Sequence, residues 1–221
     1  DVVFTNNIGN LKKITLKDIS PINISNNNTF CINPKWNSEG DKFVCQDKLN
    51  QLQVWDHFYI RNMDGLVIDS MFNCIFDRGD FGSNGIIATQ LSKGTYPNIL
   101  NCLGLVNIKN KSIELLNDYE QSPFDLFCIR FSPNQNRLYY STNQGFSSIN
   151  LFTKERKLLI ATPDSNGFSK NGIYKNFSIS KNENWFLAEK EIIENRNNKQ
   201  TIRNIIVKIS LTDYSEQLFT D

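Results

Sequence analysis

A chain of 221 residues with 39% apolar and 21% charged side chains carries enough apolar material to bury a sizeable core as one domain. Its 24 Lys and Arg against 23 Asp and Glu leave a net charge of +1, without the basic footprint of a nucleic-acid binder. No apolar run approaches the roughly 18 residues that span a bilayer, and an aromatic share of 12% with 16 Phe favours strands over helices.

Residues 2–6 and 11–18 read as two strands joined by Asn7 to Asn10, followed by a short strand at 21–25 and a polar loop over Asn26, Asn27 and Asn28. A hairpin comes next, running from Phe30 to Cys45 around a turn at Asn37 to Asp41. Leu52 to Ile60 makes a third strand of this unit and Leu66 to Asp69 a fourth. The next unit is less regular: a first strand at Cys74 to Phe76, a Gly-containing turn from Asp77 to Asn84, and strands at 85–90, 103–108 and 112–116. Phe127 to Phe131 and Leu138 to Tyr140 then flank a Ser-Pro-Asn-Gln-Asn turn. Proline presets φ there and Asn tolerates the left-handed region. Strands at 146–152 and 157–161 complete that unit. The last one holds strands at 174–180, 185–193, 201–210 and 216–219. No amphipathic helix of three or more turns is expected.

Anchored on the residue before each first turn, namely Trp36, Phe76, Phe131 and Ile179, the units recur at intervals of about 40 to 55 residues. Four short strands per period of that length is the pattern of a β-propeller blade. The stretches Trp36-Asn-Ser-Glu-Gly-Asp-Lys-Phe-Val44, Phe131-Ser-Pro-Asn-Gln-Asn-Arg-Leu-Tyr139 and Ile179-Ser-Lys-Asn-Glu-Asn-Trp-Phe-Leu187 resemble the aromatic-Ser-Pro-Asp-Gly-Lys core of TolB-like propeller repeats. Phe58-Tyr-Ile-Arg-Asn-Met-Asp-Gly65 resembles the family's Leu-Tyr-x-x-Asn-x-Asp-Gly strand and turn. Residues 206–213 and 217–221 resemble its third and fourth strands. The resemblance implies an all-β propeller of about five four-stranded blades, at approximately 1–26, 28–70, 73–117, 124–162 and 173–221, in a single domain. The first blade begins at its second strand and is therefore incomplete. Such repeats occur in envelope scaffolds, in peptidase-associated propellers and in some polysaccharide lyases, so the fold leaves function open.

His57, the single histidine, would have to serve any Ser-His-Asp triad, yet it sits inside a predicted strand. A metal site of several His ligands is excluded, and the absence of Cys-x-x-Cys spacing argues against zinc. No cofactor is expected, since no phosphate-cradling glycine motif precedes a helix. Paired carboxylates for a glycosidase would have to come from Asp77, Asp80, Asp118 and Glu120, residue types equally at home in polar turns. The tripeptide Arg78-Gly-Asp80 falls in a predicted turn but carries too little information to name a receptor.

Five cysteines leave at least one unpaired within the chain. Cys31 and Cys45 flank the first hairpin and fall near each other on adjacent strands. They read either as a disulfide, with the oxidising compartment that implies, or as two buried thiols. Cys74 with Cys102 is a further candidate pair. Asp1-Val-Val-Phe-Thr lacks an initiator Met, so a removed leader or a start inside a longer chain is expected.

In the propeller reading, loops joining fourth to first strands and second to third strands share one face. On or near it fall Trp55, Tyr96, Tyr119, Phe168 and Tyr174, with His57 beside them. A loop-built face carrying aromatics suits protein binding, because rings offer large contact area at low entropic cost. The expectation is a non-catalytic binding module with a protein partner, periplasmic or secreted, acting as scaffold, adhesion partner or inhibitor. The alternative is a polysaccharide-processing lyase or hydrolase with a central carboxylate site.

Overall fold

The computed structural model describes residues 2–5, 11–14, 22–23, 31–47, 57–72, 75–93, 100–118, 120–121, 126–161, 172–196 and 199–219. Among them every regular element is a strand, apart from a 3-10 turn at Ser83–Gly85. The first sheet runs β1 (Val2–Thr5), β2 (Leu11–Ile14), β3 (Ile22–Asn23). The second runs β4 (Cys31–Trp36), β5 (Lys42–Asp47), β6 (His57–Asn62), β7 (Val67–Phe72). The third follows as β8 (Ile75–Phe81), β9 (Ile86–Lys93), β10 (Leu100–Asn107), β11 (Ser112–Leu115), with the two-residue β12 (Glu120–Gln121) after it. The fourth is β13 (Leu126–Phe131), β14 (Arg137–Thr142), β15 (Gly145–Asn150), β16 (Arg156–Ala161). The fifth is β17 (Ile173–Ile179), β18 (Trp185–Arg196), β19 (Lys199–Ser210), β20 (Glu216–Leu218).

Pairing is antiparallel between chain neighbours within each sheet, the meander of a propeller blade. The chain forms two compact units, Asp1–Tyr119 and Glu120–Asp221. In the first blade β1 packs against β4 of the second. The first blade has three strands among the described residues.

A repeated turn explains the repeated sequence. Ser132 donates its backbone N–H to Arg137 O (2.8 Å), and its Oγ accepts the Arg137 N–H (3.0 Å). Ser180 makes the same two contacts with Trp185, at 2.9 and 3.1 Å. Asn37 replaces the serine in the second blade, its Oδ1 accepting the Asp41 and Lys42 amides at 3.1 Å each. The left-handed residue is Gln135 (φ 60°) or Glu183 (φ 53°), not an asparagine. Asn134 instead accepts the Asn136 N–H at 3.0 Å, so the asparagines serve as acceptors.

First strands are bulged in all four later blades: between Ile32 and Lys35, Ile75 and Asp80, Leu126 and Cys128, and Tyr174 and Phe177. That corrects the turn expected from Asp77 to Asn84. The strand β8 continues to Phe81, a bulge absorbs the residues around a buried Gly79, and the turn starts at Gly82, whose N–H reaches Ile86 O at 2.8 Å. Arg78-Gly-Asp80 thus lies in a strand.

Between the second and third blades Val44, Phe58, Ile60, Phe81, Ile87 and Val106 form one apolar cluster. Between the fourth and fifth, Phe146 is the hub, stacked on Phe186 at 4.2 Å and edge-on to Phe177 at 4.9 Å. Such pairs add to area burial through ring electrostatics. Cys102 and Cys128 are buried free thiols, which removes the Cys74–Cys102 pairing.

Candidate functional site

The loop end of the fifth blade departs most from its neighbours. β18 and β19 each have 12 residues, whereas β14 and β15 have 6. With the turns at Ser132 and Ser180 aligned, Lys190 matches Thr142, and the fifth blade runs on to Arg196 and back from Lys199. At about 3.3 Å per residue the added pair projects roughly 20 Å. β17 stops pairing at Glu191 and β20 stops at Phe219, whose N–H reaches Ile206 O. Beyond those points the hairpin has no third strand among the described residues. Thr201 to Asn204 are exposed, and Ile202 is 63% exposed. The stretch from Ile192 to Arg203 carries Arg196, Lys199 and Arg203 against Glu194 alone.

At the arm's base, Tyr174 donates its hydroxyl to Glu216 Oε1, and Lys190 Nζ donates to Glu216 Oε2 at 2.6 Å. Lys190 also sits over the Tyr174 ring, 5.4 Å from its centroid. Burial and the neighbouring Glu216 carboxylate push the Tyr174 hydroxyl well above the ordinary tyrosine range. Lys175 Nζ donates to Glu191 Oε2 at 2.5 Å, fixing the point where β17 leaves the arm.

Of the residues expected on the binding face, Trp55, Tyr96, Tyr119 and Phe168 lie outside the described residues. His57 opens β6, and its side chain lies outside the described ones. Tyr174 is corrected: it is 4% exposed and packs edge-on against Phe146, so its ring belongs to the core. One residue into a strand, it follows strand parity rather than the loop before it. The arm itself was legible only in part, as strands at 185–193 and 201–210 around a loop. The Asn-rich tip concealed that pairing continues to Arg196 and Lys199. Of the four carboxylates weighed for catalysis, Asp80 stands on β8 and Asp118 is exposed after β11. The side chains of Asp77 and Glu120 lie outside the described ones. Cys45 is held in a disulfide; Cys31, on the paired strand β4, has its side chain outside the described ones.

No family model matches the chain, and no curated protein matches it. Solved structures do. TolB from Acinetobacter baumannii superposes with a TM-score of 0.68 at 11% identity, covering 99% of this chain and 51% of that one. A putative TolB from Agrobacterium tumefaciens gives 0.60 at 11% identity, covering 91% and 66%. An oligogalacturonate lyase from Vibrio parahaemolyticus gives 0.61 at 11% identity, covering 99% and 62%. The chain spans between about half and two thirds of the length of these proteins. A likeness of fold at this identity carries no residue roles. The chain has the fold of a TolB-like β-propeller.

Proposed function

We propose that this chain is a non-catalytic binding module that takes a protein partner at the loop end of its blades, in an extracytoplasmic compartment. The observation that carries the reading is the β18–β19 arm. A two-stranded hairpin with no flanking strand among the described residues gains little from core burial and is marginal in water. Open strand edges also invite association that proteins ordinarily suppress. An arm of this length therefore costs stability that the fold does not need to spend, and contact with a partner accounts for it. The basic excess of its outer part selects an acidic surface. The disulfide at Cys45 supports the compartment.

The test is affinity capture from source extract with the wild-type chain and with a variant whose residues 192–203 are replaced by Asn-Gly, each followed by mass spectrometry. A partner retained by the wild type, lost by the shortened variant and released by salt is the expected result. Equal capture by both would remove the arm from the interface and with it this reading.

The competing reading, a polysaccharide-processing enzyme, has the fold shared with the lyase in its favour. It predicts turnover of polygalacturonate that disappears in Asp80→Asn or Glu120→Gln. We expect no turnover; measured turnover abolished by either change would replace the binding reading.

A further inference from the structure

On the flank of the fourth blade a cavity of about 190 Å³ is lined by Tyr140, Thr142, Gln144, Ser147, Arg156 and Lys157, with Leu158 as an apolar wall. The register shows how they converge. Tyr140 stands opposite Ser147, and Ser147 opposite Leu158, so these three project from one side of β14, β15 and β16. Thr142 and Arg156, two residues along their strands from Tyr140 and Leu158, lie on that same side. Gln144 enters from the turn between β14 and β15.

The chemistry of this lining is one-sided. Its two charged residues, Arg156 and Lys157, are cations, and no carboxylate of the described residues lines it. Lys157 is drawn towards the Tyr214 ring, 6.0 Å from its centroid, which leaves the Arg156 guanidinium as the fork facing a ligand. The Arg156 guanidinium, the Gln144 side-chain amide, and the hydroxyls of Tyr140 and Ser147 make no hydrogen bond to another described residue. Thr142 Oγ1 accepts the Gln144 N–H at 3.1 Å, which leaves its own proton free to donate. Tyr140 is 5% exposed as a residue, and its hydroxyl is not one of the buried, unmet polar atoms, so it opens to the cavity.

We propose that this cavity is a binding site for a small polyhydroxylated carboxylate, a hydroxy-acid or sugar-acid type of ligand. Arg156 takes the carboxylate in a two-pronged hydrogen bond, the geometry a guanidinium offers and an ammonium does not. The hydroxyls of Tyr140, Thr142 and Ser147 and the amide of Gln144 each donate and accept, which matches ligand hydroxyl groups. Leu158 covers a carbon face. The volume lies below the roughly 300–1,000 Å³ of drug-sized sites, so a single small molecule fills it.

The site is separate from the arm and independent of the protein-binding reading. Isothermal titration of the whole chain with D-gluconate tests it, with sorbitol as the neutral polyol and inorganic phosphate as the bare anion. Gluconate is expected to saturate one site, and sorbitol and phosphate to bind far more weakly. Arg156→Gln should weaken gluconate by roughly tenfold or more. Tyr140→Phe should weaken it several-fold while the thermal midpoint holds or rises. The variant with the shortened arm should bind as the wild type does, so a failed partner capture leaves this result standing. Absence of gluconate binding at millimolar concentration, tighter binding of phosphate than gluconate, or an Arg156→Gln variant of unchanged affinity would each overturn the proposal.

Discussion

Gln46 is fully buried on β5, and neither atom of its amide meets a hydrogen-bond partner among the described residues. A buried amide left in that state costs about 1–3 kcal/mol. Methionine has the same reach without the polar atoms, so Gln46→Met is expected to raise stability by about 1 kcal/mol, read as a higher urea midpoint at unchanged slope. A fall of that size would show that the amide is satisfied after all. Ser141 occupies the matching position of β14, counted from the shared turn, and its Oγ is likewise buried and unmet among the described residues. Sequence reading passes over such residues, because a polar letter on a strand looks like an outward-facing one. At the turns the limit is finer still. The Ser-Pro-Asn cluster is visible as a turn, but which residue turns left-handed depends on which backbone amides Ser132 Oγ and Asn134 Oδ1 accept. That choice falls on Gln135.

Glu216 of the outermost strand β20 is gripped by Tyr174 of the innermost strand β17 and by Lys190 of β18, so one carboxylate spans the fifth blade from edge to edge. Tyr174→Phe removes the hydroxyl while Lys190 keeps Glu216 paired, at an expected cost of about 1–2 kcal/mol at neutral pH. The pH dependence has a definite sign. Tyr174 holds its proton in the folded chain past the point where an unfolded tyrosine, near pH 10, releases it. The unfolded state then binds fewer protons, and stability falls as pH rises above about 10. Urea unfolding near pH 8 and again above pH 10 should show a loss in the wild type that is smaller in Tyr174→Phe. Equal losses would mean that Glu216 and Tyr174 do not communicate. Element existence was legible here from aromatic and β-branched runs between polar turns. Element ends were not. Tyr174 was placed beside a loop although β17 starts at Ile173, and the arm was cut short at its Asn-rich tip.

Across the whole chain, what the sequence declares most loudly is the repeat, because each blade needs the same turn, closed by the same side-chain oxygen after an aromatic or apolar residue. Trp36, Phe131 and Ile179 therefore mark true strand ends. The third blade was blurred because Gly82 stands where Asn37, Ser132 and Ser180 supply a side chain, and the turn closes through backbone groups, Gly82 N–H to Ile86 O and Ile86 N–H to Ser83 O. Covalent structure is the remaining property of the molecule as a whole. Cys45 is in a disulfide, while Cys102 and Cys128 are free and buried. Cys31 stands opposite Asp47, two residues from Cys45 along the strand pair, and we propose it as the partner. One disulfide among five cysteines leaves three thiols. Thiol titration in denaturant without reductant should count three, rising to five after reduction, and peptide mapping should join Cys31 to Cys45. A disulfide closing a loop of this length constrains the unfolded chain by about 3 kcal/mol in the entropic picture. Reduction should therefore lower the urea midpoint, and Cys31→Ser should lower it equally and make it insensitive to reductant. Five thiols without reductant would take away the support for an oxidising compartment while leaving the arm, and the partner it is expected to hold, to be judged by capture alone.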